Sequence, residues 1–180
     1  KSVSTFRIGG RCAIALFPKN AQELAACVCL ADAENVPVKV MGRCSNTLFG
    51  DGLVQRCLIF TSEVNATEVT DGRVSCEAGV SLTSLASSAA RHGLEGLEFA
   101  CGIPGSVGGA VFMNAGAHGG CMADVVCQTL AYDRKKGETV TLTEHGFGYR
   151  ESIYKSRDDL VCLGATLLLR AGDSECIKQR

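Results

Sequence analysis

Apolar and polar positions follow two different periods along this 180-residue chain. Cys12 to Phe17 (CAIALF) is an apolar run of strand length. Asn20 follows, with Glu23 three residues on, which is the spacing of a capping box. Leu24, Cys27, Val28 and Ala31 then recur at helical spacing, and the pattern stops near Pro37. Val38 to Met41 (VKVM) and Cys57 to Thr61 (CLIFT) read as further strands. The strand–helix–strand order predicts a parallel pair joined by a crossover.

The pattern changes near Ser62. ATEVTDGRVSCEAG places two alternating runs around Asp71-Gly72, a hairpin signal. SLTSLASSAARHG predicts a helix with Ser81 as its cap and Gly93 as its stop. VVCQTLAYD and ETVTL flank RKKG as a second hairpin, and DLVCLGATLLLR ends the ordered pattern as an apolar strand. The expected fold class is therefore α+β. A small βαβ subdomain occupies residues 1–62, a mainly antiparallel α+β subdomain occupies 63–172, and 173–180 form a tail. The last strand is expected to leave an edge or apolar face open to self-association.

Composition narrows the function classes. Hydrophobic residues make up 46% and charged residues 21%, a globular balance and not a disordered one. The net charge is -1, with no basic stripe, and aromatics are 6%, so nucleic acid is not the expected partner. No apolar run approaches the roughly 18 residues of a membrane span, and KSVSTFRIGG lacks a signal-peptide pattern. The first residue is not Met, which points to residues upstream. The eleven cysteines are odd in number and lack zinc spacings. They read as reduced, small buried hydrophobes in a cytoplasmic protein.

Three stretches can carry chemistry. In MGRCSNTLFGDG, a strand delivers Gly42, Ser45 and Asn46 into a tight loop. Such a loop is either an ordinary turn or a nest of N–H groups for an anion. Seven glycines lie between Gly102 and Gly120, amid Val107, Val111, Phe112 and Met113. Gly105, Gly108 and Gly109 leave backbone bare, Pro104 stiffens the entry and Asn114 adds an amide. A planar cofactor with a pyrophosphate tail would need this. Close packing of a bulged strand on a helix would need it equally. In FGYRESIYK, Arg150 lies between Tyr149 and Tyr154. It suits a carboxylate held by two parallel bonds, or a surface ion pair with Glu151 or Asp158. Of the histidines, His92 sits at a helix C-terminus in a structural role, His118 lies inside the glycine-rich segment and His145 in a polar loop. No catalytic triad or metal cluster emerges.

Taken together and in order, STFRIGG, GRCSN, EAGVSLTSLA, GLEGLEFACGIPGSVGGAVFMNAGAHGG and FGYRESIYK resemble the UDP-N-acetylenolpyruvoylglucosamine reductases. The resemblance runs from about Ser4 to Arg170. It implies the vanillyl-alcohol oxidase-like FAD-binding fold and a cytoplasmic enzyme of peptidoglycan synthesis. In that family NADPH reduces FAD, and the flavin passes hydride to UDP-N-acetylglucosamine enolpyruvate, giving UDP-N-acetylmuramate. By the family motifs, Gly42, Arg43, Cys44, Ser45 and Asn46 would wrap the pyrophosphate. Gly79, Gly102, Ile103, Pro104, Gly105, Ser106, Gly108, Gly109, Asn114 and Gly116 would line the cofactor. Arg150 matches the catalytic arginine. No metal and no protein partner is implied.

Two departures stand out. The family usually carries glycine at Cys44, so this thiol either crowds the phosphate loop or turns away from it. The family's proton-donating serine and its supporting glutamate belong to a C-terminal substrate domain, and no such motif precedes AGDSECIKQR. The expectation is an FAD-binding part that holds flavin better than it turns over substrate. The alternatives are a non-catalytic flavin-binding module or the FAD subunit of a multi-component oxidoreductase.

Overall fold

The computed structural model describes residues 3–172. The first unit contains β1 (Cys12–Leu16), α1 (Ala21–Ala33), β2 (Val38–Met41) and β3 (Val54–Phe60). Asn20 caps α1 by accepting from the Glu23 N–H at 2.8 Å. The Glu23 carboxylate reaches one residue further back than a capping box requires and accepts from the Lys19 N–H. The three strands are parallel in the order β1-β3-β2. The expected parallel pair is thus split, because β3 enters between β1 and β2. Cys57, Leu58, Ile59 and Phe60 are all buried, a run that needs cover on both faces and takes the central place. The half-exposed β1 stays at the edge.

The second unit begins with β4 (Thr67–Thr70) and β5 (Arg73–Glu77), followed by α2 (Leu82–Arg91) and the short β6 (Leu94–Glu95). The glycine-rich segment forms α3 (Val107–Met113) and a tiny hairpin of β7 (Gly116–Ala117) and β8 (Gly120–Cys121). Then come β9 (Val126–Asp133), β10 (Glu138–Leu142), α4 (Ile153–Ser156), β11 (Leu160–Leu168) and β12 (Arg170–Ala171). Asp71 and Gly72 both take positive φ, which lets the β4–β5 hairpin close in two residues. The main sheet runs β10-β9-β11-β5-β4, antiparallel throughout. The apolar β11 lies in its centre, paired on both sides, and not at an edge as expected. Its near-continuous burial from Leu160 to Leu167 is the reason: α1 and α3 both pack against it.

Helix α1 is the joint between the sheets. Leu24 and Val28, both fully buried, sit in one cluster with Cys57 and Ile59 of the small sheet and Tyr132, Val161 and Leu163 of the large one. Each such side chain contributes about 1.5–3 kcal/mol through burial. Polar contacts fix the same joint. Glu77 accepts from the Ala21 N–H at 2.8 Å with one oxygen and from the Ala66 N–H at 2.9 Å with the other. Arg134 holds Asp32 of α1 with two parallel bonds. On the other side of the large sheet, Leu82, Leu85, Ala86 and Ala89 of α2 join Val107, Ala110 and Val111 of α3 in the main core.

The ten described cysteines are free, as expected of reduced thiols. Their burial is less uniform than expected. Cys44, Cys57 and Cys76 are buried, but Cys29 and Cys101 are exposed, because their positions fall on the outer faces of α1 and of a turn.

Candidate functional site

Strand β2 hands the chain to the loop Gly42 to Asn46. Cys44 takes φ 56°, a conformation that favours glycine. Its side chain packs with Met41, Leu58 and Phe60, and its thiol donates to the Gly42 carbonyl at 3.6 Å. Burial pushes its thiol pKa up. Thr5 donates its hydroxyl to the Arg43 carbonyl at 2.7 Å and braces the loop from behind. The backbone N–H groups of Arg43, Cys44, Ser45 and Asn46 find no protein acceptor among the described residues. Free donors held in a fixed turn are what an anion-binding nest requires.

The second loop is built differently. Gly105 N–H donates back to the Ile103 carbonyl, a three-residue turn around Pro104. The Gly105 carbonyl accepts from Leu82 at the start of α2. Ser106 caps α3. A helix forms in place of the alternative bulged strand because Ser106 supplies a cap and the small residues let α3 press onto Ala78. A Cβ at Gly108 would come within 2.8 Å of the Ala78 Cβ. Val107 and Gly108 donate to the Val80 and Ala78 carbonyls, and Gly109 to the Ser106 hydroxyl. The first N–H groups of α3 are therefore spent on protein, unlike those of the 43–46 loop.

These loops meet although sixty residues of chain separate them. Gly42 lies directly against Ser106 Oγ, and a Cβ at Gly105 would stand 3.9 Å from Ser45 Oγ. Both border a cleft of about 1360 Å³. Of the candidate residues, Gly42, Arg43, Cys44, Ser45, Asn46, Ile103, Pro104, Gly105, Ser106, Gly108, Gly109, Asn114, Gly116 and Arg150 all border it. Gly79 and Gly102 do not. Gly79 is buried where its missing side chain admits the Thr61 and Val64 carbonyls, so packing demands that glycine. Gly116 meets Gly120 and Cys121 across the small hairpin.

A third wall comes from the turn Gly148 to Glu151. Gly148 and Glu151 exchange two backbone bonds, at 3.1 and 3.2 Å, leaving Tyr149 and Arg150 at the tip. Arg150 adopts φ 54°. Its carbonyl accepts from Lys155 Nζ at 2.8 Å. Neither expected ion pair forms, since Lys155 takes Glu151 and nothing joins Arg150 to Asp158. Tyr149 is 92% exposed. Tyr154 does not flank the arginine: it is buried, and its hydroxyl meets Thr129 Oγ1 at 2.7 Å. Burial pushes that phenol's pKa up.

Charge in the cleft is one-sided. Lys39, Arg43, Arg56, Arg134, Arg150 and Lys155 border it against the single carboxylate of Asp158. Arg134 and Lys155 have acidic partners; the other four have no ion pair among the described residues. The cleft is suited to an anionic ligand. Lys39 and Arg56 were not expected here. Lys39 alternates with Val38, Val40 and Met41 in β2, and Arg56 precedes the apolar run Cys57 to Phe60 in β3. His118 lies on the rim with φ 51°. His92 meets the Ser88 carbonyl at the end of α2, as expected. His145 departs from its expected polar loop: it is buried and stacked on Phe147 at 5.0 Å, and burial lowers its pKa. No group of metal-ligating side chains occurs among the described residues, and none of their helices is long and apolar enough to cross a membrane.

A family model described as an FAD binding domain matches residues 12–143. UDP-N-acetylenolpyruvoylglucosamine reductase of Streptococcus pneumoniae (strain Hungary19A-6) is 41% identical over 180 residues, covering 99% of this chain and 59% of the relative. The reductase of the same name from serotype 19F (strain G54) is also 41% identical, with 56% of its length covered. This chain therefore spans somewhat over half the length of these relatives. The crystal structure of the Thermus caldophilus UDP-N-acetylenolpyruvylglucosamine reductase superimposes with a TM-score of 0.81 at 32% identity, over 99% of this chain and 63% of that one. Cholesterol oxidase from B. sterolicum matches with a TM-score of 0.66 at 14% identity over 87% of this chain, a likeness of fold alone.

Proposed function

The chain belongs to the FAD binding domain family, and from that premise we propose that it forms the FAD-holding part of a UDP-N-acetylenolpyruvoylglucosamine reductase. Its two sheets would serve as subdomains 1–62 and 63–172, with FAD between them. The cleft fits the cofactor by size, by its unpaired cations and by the free N–H groups of the Arg43 to Asn46 loop. That loop would hold the pyrophosphate. Ile103 to Gly105 would let the flavin approach backbone, with Gly109 and Gly116 on the same wall. When bound, FAD would carry hydride from NADPH to the enolpyruvyl double bond of the UDP-sugar.

Arg150 carries this reading furthest. Its backbone is held by Gly148, Glu151 and Lys155, yet its guanidinium has no ion pair among the described residues. Anchoring a backbone while leaving a cation unpartnered suits a ligand. The guanidinium would hold the substrate carboxylate and stabilise the negative charge that builds beside it.

The test is a visible absorption spectrum of the chain after FAD is added and the excess removed by gel filtration. Flavin bands are expected to travel with the protein. Arg150→Gln should keep those bands while the whole reductase loses turnover by about 10²–10³-fold. A folded but colourless protein overturns the proposal.

A further inference from the structure

Helix α3 ends at Asn114, which takes the left-handed conformation φ 41°, ψ 54°. Its side chain makes a hydrogen bond at each end of the amide. Nδ2 donates to the Gly148 carbonyl at 2.9 Å, and Oδ1 accepts from the Ala123 N–H at 2.9 Å. Gly148 is the residue whose backbone closes the turn that presents Arg150. A second bond joins the same two segments, from Ser152 Oγ to the Phe112 carbonyl at 2.8 Å. The end of the glycine-rich helix and the arginine-bearing turn are thus clamped on both sides of Arg150.

We infer that Asn114 is a positioning residue for Arg150, setting the guanidinium relative to the glycine-rich wall, and not a direct contact of the flavin. The inference rests on the proposed function for what Arg150 meets. Its geometry does not. The amide nitrogen and the amide oxygen each already hold a partner on a different segment of the protein, which fixes the side chain between α3 and the Arg150 turn. Gly148 sits two residues from Arg150, so a change in its carbonyl's partner moves the tip of the turn. Displacements of this kind lower reaction rates without removing a reacting group.

Two substitutions separate the roles. Asn114→Gly keeps the left-handed backbone and deletes the amide. Asn114→Asp keeps an acceptor for Ala123 and deletes the donor to Gly148. In the FAD-loaded chain both should leave the flavin spectrum unchanged and the FAD Kd within about threefold, while the Gly148 and Glu151 amides exchange about tenfold faster. In the whole reductase, flavin reduction by NADPH should stay as it was. The step that consumes the enolpyruvyl sugar nucleotide should slow by about tenfold, with no further loss on adding Arg150→Gln. A shifted flavin spectrum and weaker FAD binding with unchanged amide exchange would make Asn114 a cofactor ligand and overturn the inference. So would losses that add to those of Arg150→Gln. If the unaltered chain takes up no FAD, the proposed function fails, and amide exchange in the unloaded chain still decides whether Asn114 holds the turn.

Discussion

Gly42 and Ser106 fit into one another: the glycine leaves the space that the Ser106 hydroxyl occupies. Ser106 is 2% exposed and caps α3, so it has little room to move. Gly42→Ala should destabilise the protein by about 1–3 kcal/mol, as overpacking does. Ser106→Ala alone should cost about 1 kcal/mol through loss of the cap. Because Ser106→Ala removes the atom that Gly42→Ala strikes, the double variant should be more stable than the sum of the two costs predicts. Urea denaturation of all four proteins measures this. Strict additivity would mean that the two loops do not touch in solution.

Cys44 tests whether a side chain at this position disturbs the proposed anion-binding loop. It is buried with Met41, Leu58 and Phe60, and its thiol donates to the Gly42 carbonyl. Cys44→Gly trades about 1 kcal/mol of left-handed strain against a similar loss of buried apolar contact, so stability should change by less than about 1 kcal/mol. FAD affinity should stay within about threefold. Cys44→Ala retains the strain and loses the sulfur, so it should be the less stable of the two. An FAD affinity that rises tenfold or more in Cys44→Gly would show that the thiol does crowd the loop.

His145 should make stability depend on pH near neutrality. Burial lowers its folded pKa below the unfolded value of about 6.5. The unfolded chain then binds more protons, so the contribution is complete above about pH 6.5 and is lost as pH falls through the folded value. His145→Phe keeps a ring against Phe147 and should flatten the slope of the urea midpoint between pH 7 and 5.5. An unchanged slope would mean that another group titrates there.

A separate acid transition belongs to the connection between α4 and β11. The Arg157 guanidinium against Asp159 holds that carboxyl down to about 2. Its stabilisation is present above the unfolded value of about 3.9 and disappears as pH falls toward 2. Arg157→Gln should move the onset of acid unfolding to higher pH, read by circular dichroism, while leaving the pH 7 to 5.5 slope intact.

Leu24 carries the joint between the sheets, fully buried against both. Leu24→Ala should cost about 2–5 kcal/mol. Intrinsic FAD binding should weaken with it, because the two walls of the cleft lie on different sheets. Tight FAD binding at full occupancy in a protein destabilised by that much would argue that one wall suffices.

Local signals in the amino-acid sequence were enough for the separate pieces. The Asn20 and Ser81 caps, the Asp71-Gly72 turn and the apolar runs determined α1, α2, the first hairpin and β11, because caps, turns and periodicity act over a few residues. The motifs GRCSN, GIPGSVGG and FGYR marked three stretches that border one cleft. What joined them was tertiary. Strand β3 entering between β1 and β2 depends on which strand can be covered on both faces, a comparison no single segment contains. The direction of Cys44, the burial of His145 and the spending of Asn114 on Gly148 and Ala123 depend on partners up to several dozen residues away. A hydrogen bond or a contact needs both partners in place, so the use of each site residue was decided only when the two loops and the Arg150 turn were brought together.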